Sequence, residues 1–197
     1  MAAATIRAYA PADERGWLQC RLLSFFGSAF YDDVVREKAR YEHDAIELVA
    51  EADGEIVGLI DVECETEPAT VCFDRPGLGG MIWHLAVHPE HQRRGVAAAL
   101  LAEAERLAKD RGVCRFEAWT RDDPHVQDWY ESNGFERVES YLHVYIERDE
   151  GLRDTMFEDG QLRLVKAFAH YTGDDPDAIR QRFRRVHDDV LYERRFA

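Results

Sequence analysis

His84-Leu85-Ala86-Val87-His88-Pro89-Glu90-His91-Gln92-Arg93-Arg94-Gly95-Val96-Ala97-Ala98-Ala99-Leu100 passes from an apolar run, through a short polar turn, into a helical pattern that continues to Arg111. A strand, a tight turn and a helix start together build an anion site. The first backbone N–H groups of a helix have no intrahelical partner, and the helix dipole favours negative charge there. Gly95 carries no Cβ, so a ligand can approach the backbone closely at the turn. Arg93 and Arg94 add positive charge. The stretch has the makings of a pyrophosphate cradle.

Working outward, Met81 to Val87 is apolar nearly throughout, as a strand covered on both faces should be. The helix that follows buries Val96, Leu100, Ala104, Leu107 and Ala108, and Gly112 ends it. Val113 to Thr120 is a further strand. Asp123 and Pro124 open a short helix to about Ser132, with Asp123 as N-cap, and Asn133-Gly134 closes it. Phe135 to Val138 and Tyr141 to Glu147 are expected as two more strands. Upstream, Thr5 to Tyr9 is a short strand and Asp13 to Phe26 a helix, with a second short helix over Asp32 to Arg40. Ile46 to Glu51 and Glu55 to Glu63 are strands joined by Asp53-Gly54, a two-residue hairpin signal. Glu65 to Gly80 is a loop. Beyond residue 148, Leu162 to Tyr171 is expected as a strand and Asp177 to Arg194 as an amphipathic helix with Ile179, Phe183, Val186, Val190 and Leu191 on one face.

The 197 residues suit one domain with an elaboration, and the 46% hydrophobic content excludes general disorder. No apolar run approaches the ~20 residues of a membrane span, and Met-Ala-Ala-Ala-Thr-Ile-Arg lacks the pattern of a signal segment. A cytoplasmic protein without a membrane partner is expected. The net charge of −14 argues against nonspecific nucleic-acid binding. Cys20, Cys64, Cys72 and Cys114 are scattered without metal-ligand spacing, so neither zinc nor any other metal is expected. Walker-type Lys-Ser/Thr and the GxGxxG pattern of nucleotide binders are both missing.

Two stretches carry a family resemblance. Gln92-Arg93-Arg94-Gly95-Val96-Ala97 matches the Gln/Arg-x-x-Gly-x-Gly/Ala turn of the GCN5-related N-acetyltransferase (GNAT) superfamily, and Trp129-Tyr130-Glu131-Ser132-Asn133-Gly134-Phe135 is similar to its Tyr-Glu-x-x-Gly-Phe segment. The resemblance implies an α/β fold, with a central mixed β-sheet flanked by helices over residues 4–148. Residues 149–197 then form a C-terminal strand–helix extension, packed on the core or on a second subunit in a homodimer. It implies acetyl-CoA as co-substrate, held by Leu85, Ala86 and Val87 on the strand and by Gln92, Arg93, Arg94, Gly95, Val96 and Ala97 at the turn. It also implies direct attack by a primary amine, from a small molecule or a peptide, in a ternary complex. A transferase for another acyl-CoA and a CoA-binding module without catalysis are the alternatives.

Acetyl transfer needs a neutral amine, and freeing the lone pair of an ordinary alkylamine at pH 7 costs roughly 4.6 kcal/mol. The resemblance assigns Tyr130 as the acid that protonates the leaving thiolate. Members of the family often carry a carboxylate on the central strand as base, and this strand has none. His84 is its only titratable group, fit either for proton transfer or for a structural hydrogen bond. Glu63, Glu117 and His143 on neighbouring strands are rivals. Asp123 stands where the family often has Asn, and an ionised carboxylate only accepts, which leaves that CoA contact in doubt. Phe26, Phe30, Tyr31 and Tyr141 are the candidate substrate contacts, where aromatic rings would face a cation or an alkyl stem.

Overall fold

A computed structural model describes residues 4–152 and 161–196. Among the described residues one sheet of eight strands organises the fold: β1 (Thr5–Ala8), β2 (Ala45–Ala52), β3 (Glu55–Cys64), β4 (Leu78–Val87), β5 (Val113–Thr120), β6 (Glu136–Glu147), β7 (Lys166–Tyr171) and β8 (Arg185–Arg195). The helices are α1 (Glu14–Phe26), α2 (Val96–Asp110), α3 (Pro124–Ser132) and α4 (Pro176–Arg182). The spatial order is β1-β2-β3-β4-β5-β8-β6-β7. β4 and β5 run parallel and the other neighbours antiparallel. This is the mixed sheet that the motifs imply.

Alternation along the strands divides the interior between two faces. Leu48, Ala50, Ile60 and Val62 join Leu100, Leu101 and Ala104 of α2, together with Tyr130 of α3. Val49 and Leu59 point the other way, onto Trp17 and Cys20 of α1. Helices α2 and α3 therefore cover one face and α1 covers part of the other. The Asp53-Gly54 turn has positive φ at both residues, 52° and 82°, which suits the twist of a tight hairpin.

Three elements depart from expectation. No helix forms over Asp32 to Arg40: Val34 and Val35 are exposed, so a helix there has no apolar stripe to bury. The segment is instead tied down by its polar groups. Arg21 donates to Asp33 at 2.8 Å, and buried Lys38 pairs with Glu47 and Asp61. Second, β6 is a single strand, with a register irregularity between Arg137 and Glu139.

The third departure is the largest. The helix expected from Asp177 to Arg194 is only the seven residues of α4, and the chain then becomes β8. β8 lies between β5 and β6, pairing Trp119↔Leu191 on one side and Tyr141↔Asp189 on the other. Val190, Leu191 and Tyr192 are fully buried. Residues from the tail thus complete the middle of the sheet. Among the described residues no helix is long and apolar enough to cross a membrane.

Candidate active site

β4 and β5 are hydrogen-bonded only at their beginnings, from Leu78↔Val113 to Met81↔Glu117. Past that point β4 continues to pair with β3 as far as Val87, while β5 pairs with β8. The two parallel strands separate, leaving the β5-facing edge of Leu85, Ala86 and Val87 without a strand partner. A slot opens between them, bordered by the Leu85 backbone and the Val87 N–H, which alternation turns away from β3. Unpaired backbone groups in such a place call for a polar partner.

The slot leads to the turn before α2. Gly95 has φ 81° and ψ 2°, a left-handed conformation that a side chain would strain, and the space around its missing Cβ is open. Arg93 also has positive φ, at 61°. The helix has no side-chain cap and no acidic residue in its first turn. Ala99 is the residue whose N–H closes the first helical bond, to the Gly95 carbonyl at 3.0 Å, so the N–H groups of Val96, Ala97 and Ala98 have no helical acceptor. Gln92 does a different job from the arginines. Its amide donates to the Val87 carbonyl at 3.1 Å and braces the turn, with the Ser24 hydroxyl donating to the same oxygen at 2.6 Å.

A bulge shapes the other face of β4. The β3 register passes from Asp61↔His84 to Val62↔Ile82, so Trp83 is the extra residue. Trp83 is half exposed and donates its indole N–H to Glu63 at 2.8 Å. Tyr41, His43, Glu63, Val71, Trp83 and His84 line a cleft of about 520 Å³ on the α1 side. Glu63 is fully engaged: besides Trp83 it accepts from the backbone and ring of His43 and from the Glu42 N–H. Burial alone would raise its pKa, but these donors hold it below the ordinary carboxylate value.

His84 is not an ordinary imidazole. Burial, with Arg21 and Lys38 nearby, lowers its pKa to about 3. Arg21 donates to His84 Nδ1 at 3.4 Å, and Trp17 packs edge-on at 5.0 Å. At neutral pH the ring is uncharged, and it holds a proton too weakly to take one from an ammonium. The expectation of a base with an ordinary pKa is corrected by this environment.

Tyr130 is 6% exposed. Its ring stacks on Tyr192 at 5.4 Å and meets Phe135 and Trp129 edge-on. Burial raises its pKa well above the usual phenol value, so it keeps its proton. Asp123 does not cap α3 with its side chain. Both of its carboxylate oxygens accept the Ala29 N–H, at 3.1 and 2.9 Å, which anchors the loop after α1.

The aromatic candidates separate. Phe26 is 76% exposed at the end of α1, away from any cluster. Phe30 packs against the Arg121 guanidinium at 4.2 Å and Tyr31 against Arg185 at 4.5 Å. Tyr141 donates to Asp189 at 3.0 Å and packs on Trp119 and His170. Phe30, Tyr31 and Tyr141 thus belong to one region at the ends of β5 and β8. The sequence reading missed its polar centre, Arg121 and Asp189. Of the two rivals for the base on this side, His143 is lowered to about 4 by burial and neighbouring cations. Glu117 is sealed in a buried ion cluster with Arg115.

Residues 43–137 match the family model described as an acetyltransferase (GNAT) domain. The chain is also 31% identical over 124 residues to Acetyltransferase ECA0875 of Pectobacterium atrosepticum, an alignment covering 62% of this chain and 78% of that protein. The chain belongs to the GNAT acetyltransferase family and is an acyltransferase. Solved structures share the fold at low identity. The PaiA N-acetyltransferase of Thermoplasma acidophilum, in complex with coenzyme A, aligns with a TM-score of 0.59 at 13% identity over 99% of this chain and 100% of its own. The ribosomal-protein-S18-alanine N-acetyltransferase of Escherichia coli gives 0.58 at 15% over 98% and 94%.

Proposed function

We propose that this acyltransferase uses acetyl-CoA and moves the acetyl group to a primary amine by direct attack in a ternary complex. The observation that carries the reading is the continuity of the β4–β5 slot with the Gly95 turn. A chain of amide-bearing thiol ester needs unpaired backbone along its length, and a pyrophosphate needs unpaired N–H groups at its end. The slot offers the first at the Leu85 backbone and the Val87 N–H, which alternation turns away from β3, and the turn offers the second at Val96 to Ala98. That the Thermoplasma acidophilum relative was solved with coenzyme A supports the same assignment.

Acetyl-CoA supplies an activated acyl group, and the protein supplies position and proton control. Arg93 and Arg94 add charge to the phosphate end. The Leu85 to Val87 edge orients the thioester for attack by the amine. Proximity of this kind accounts for much of the barrier in a direct displacement. Tyr130, kept protonated by burial, donates to the departing thiolate. His84 stays neutral and, with Nδ1 taken by Arg21, offers its Nε2–H to the cleft as a hydrogen-bond donor. No covalent enzyme intermediate is needed.

Calorimetry of the purified protein with acetyl-CoA, and separately with ATP, tests the reading. Saturable acetyl-CoA binding that exceeds ATP binding, and free thiol release in the presence of an amine panel, are the expected results. Equal affinity for the two nucleotides would mean that the turn reads only phosphate.

A further inference from the structure

Arg121 and Asp189 are neighbours that ought to pair and do not. Thr120 pairs with Val190 at the end of the β5–β8 ladder, so Arg121 and Asp189 are the next residues along the two strands. Opposite charges in that relation normally attract each other into contact. Here no carboxylate among the described residues lies within 4 Å of the Arg121 guanidinium, which donates to the Ala29 carbonyl at 2.6 Å and rests on the Phe30 ring. Asp189 turns away to accept the Tyr141 hydroxyl at 3.0 Å, with His143 Nδ1 at 3.6 Å.

Both side chains are buried, at 7% and 6% exposure, and both are left incomplete. Arg121 Nε, Asp189 Oδ1 and His143 Nε2 each lack a hydrogen-bond partner. Such orphans are rare because each costs the desolvation of a polar group. Three of them around one pair of unjoined opposite charges mark a place where a partner is missing. Of the other titratable groups nearby, Arg185 pairs with Asp32 and His187 with Asp122, while His170 packs on the Tyr141 ring and acts on Asp189 only through its field. The missing partner must donate to Asp189 and accept from Arg121 at once. The rings beside these groups are aromatic: Phe30 and Tyr145 against Arg121, and Trp119 against Tyr141.

We propose that Arg121, Tyr141 and Asp189 form the acceptor subsite for an α-amino acid with an apolar side chain, Arg121 taking its carboxylate and Asp189 its ammonium. The proposal rests on the reading of the chain as an acetyl-CoA-dependent N-acetyltransferase. A zwitterion answers both unpaired charges, which a simple amine or a simple acid cannot. Asp189 then serves as proton acceptor. One proton passes from the ammonium to the Asp189 carboxylate. The freed nitrogen attacks the acetyl carbon, a C–N bond forms and the C–S bond breaks. The nitrogen sheds its second proton as the thiolate gains one, giving an N-acetyl amino acid and CoA thiol. Asp189 returns its proton to solvent. Burial raises the basicity of this carboxylate, which fits the task.

The test uses the full-length protein with L-phenylalanine, L-methionine and L-leucine, each beside its decarboxylated amine. Thiol release should favour the amino acid over its amine by at least tenfold in kcat/KM, about 1.4 kcal/mol. In Arg121→Gln this preference should collapse while the Kd for acetyl-CoA is retained. Tyr141→Phe, which removes only a hydroxyl, should lower kcat/KM for the amino acids. Asp189→Asn should lower kcat and move the pH–rate profile upward. Calorimetry of the same amino acids against the protein alone reports on the subsite without any chemistry. Equal rates for acid-bearing and decarboxylated acceptors, or a preference that survives Arg121→Gln, would overturn the proposal. So would failure of all three amino acids to bind, with the orphans satisfied by a buried water only. Failure to bind acetyl-CoA would instead overturn the functional reading, leaving amino-acid binding to be judged by the calorimetry.

Discussion

Arg21 Nε lies 3.4 Å from His84 Nδ1, with the indole of Trp17 edge-on to the same imidazole at 5.0 Å. The donor fixes Nδ1 as an acceptor, and the cation together with burial keeps the ring uncharged. The only titratable side chain on the central strand is thereby tuned against carrying a proton.

This relationship gives a pH signature. The folded His84 has a pKa of about 3, below the ordinary 6.5, so between those values the unfolded chain binds a proton that the folded chain does not. Stability from this group is complete above pH 6.5 and is lost as the pH falls toward 3. His143, lowered to about 4, acts in the same direction. Urea titrations at pH 7.5 and pH 5 should show a smaller drop for His84→Gln than for the parent. The acidic limb of kcat/KM above pH 5 should be unchanged in that variant, because a ring with a pKa lowered to about 3 does not titrate there.

Gly95 should tolerate no side chain without cost, for two separable reasons. Its φ of 81° strains any L residue, so Gly95→Ala should lose about 1 kcal/mol of stability. Open space around the missing Cβ means that this alanine clashes with nothing in the protein itself. Gly95→Glu adds bulk and negative charge where phosphates are expected, and should weaken acetyl-CoA binding at least tenfold beyond the alanine variant. Calorimetry with thermal melts on both variants distinguishes strain from exclusion.

Tyr130→Phe keeps the stack on Tyr192 and removes only the hydroxyl. With the hydroxyl acting on the leaving thiolate, kcat should fall by about 10²–10⁴-fold while acetyl-CoA affinity and melting temperature hold. Full kcat in this variant would reassign the proton to solvent.

Removing the tail from residue 183 onward should abolish folding, and not merely alter assembly. β5 and β6 would each lose a neighbour, and the positions of Val190, Leu191 and Tyr192 would become a gap in the core. Circular dichroism and solubility of the truncated chain decide the matter. A folded, soluble truncation would mean that β5 and β6 can pair directly.

The local signals in this chain were strong wherever neighbouring residues alone set the conformation. Gln92 to Ala97 specified a turn and a helix start through backbone geometry, and Asp53-Gly54 specified a hairpin by its positive φ angles. Tertiary structure alone decided β8 and what it brings. Val186, Val190 and Leu191 recur at a spacing that a helix also satisfies. The alternation that would have marked a strand is broken because Leu191 shares a face with His187, Asp189 and Glu193, while Asp188 shares the other face with Val186, Val190 and Tyr192. Asp189 and Glu193 are buried with partners only because β5 and β6, distant in sequence, supply Tyr141, His143 and Arg115 beside them. The same cause explains why Arg121 and Asp189 went unread, and why His84 looked like a base. A side chain's charge and partners at such positions depend on what the fold packs around it, and the residue type alone does not carry that information.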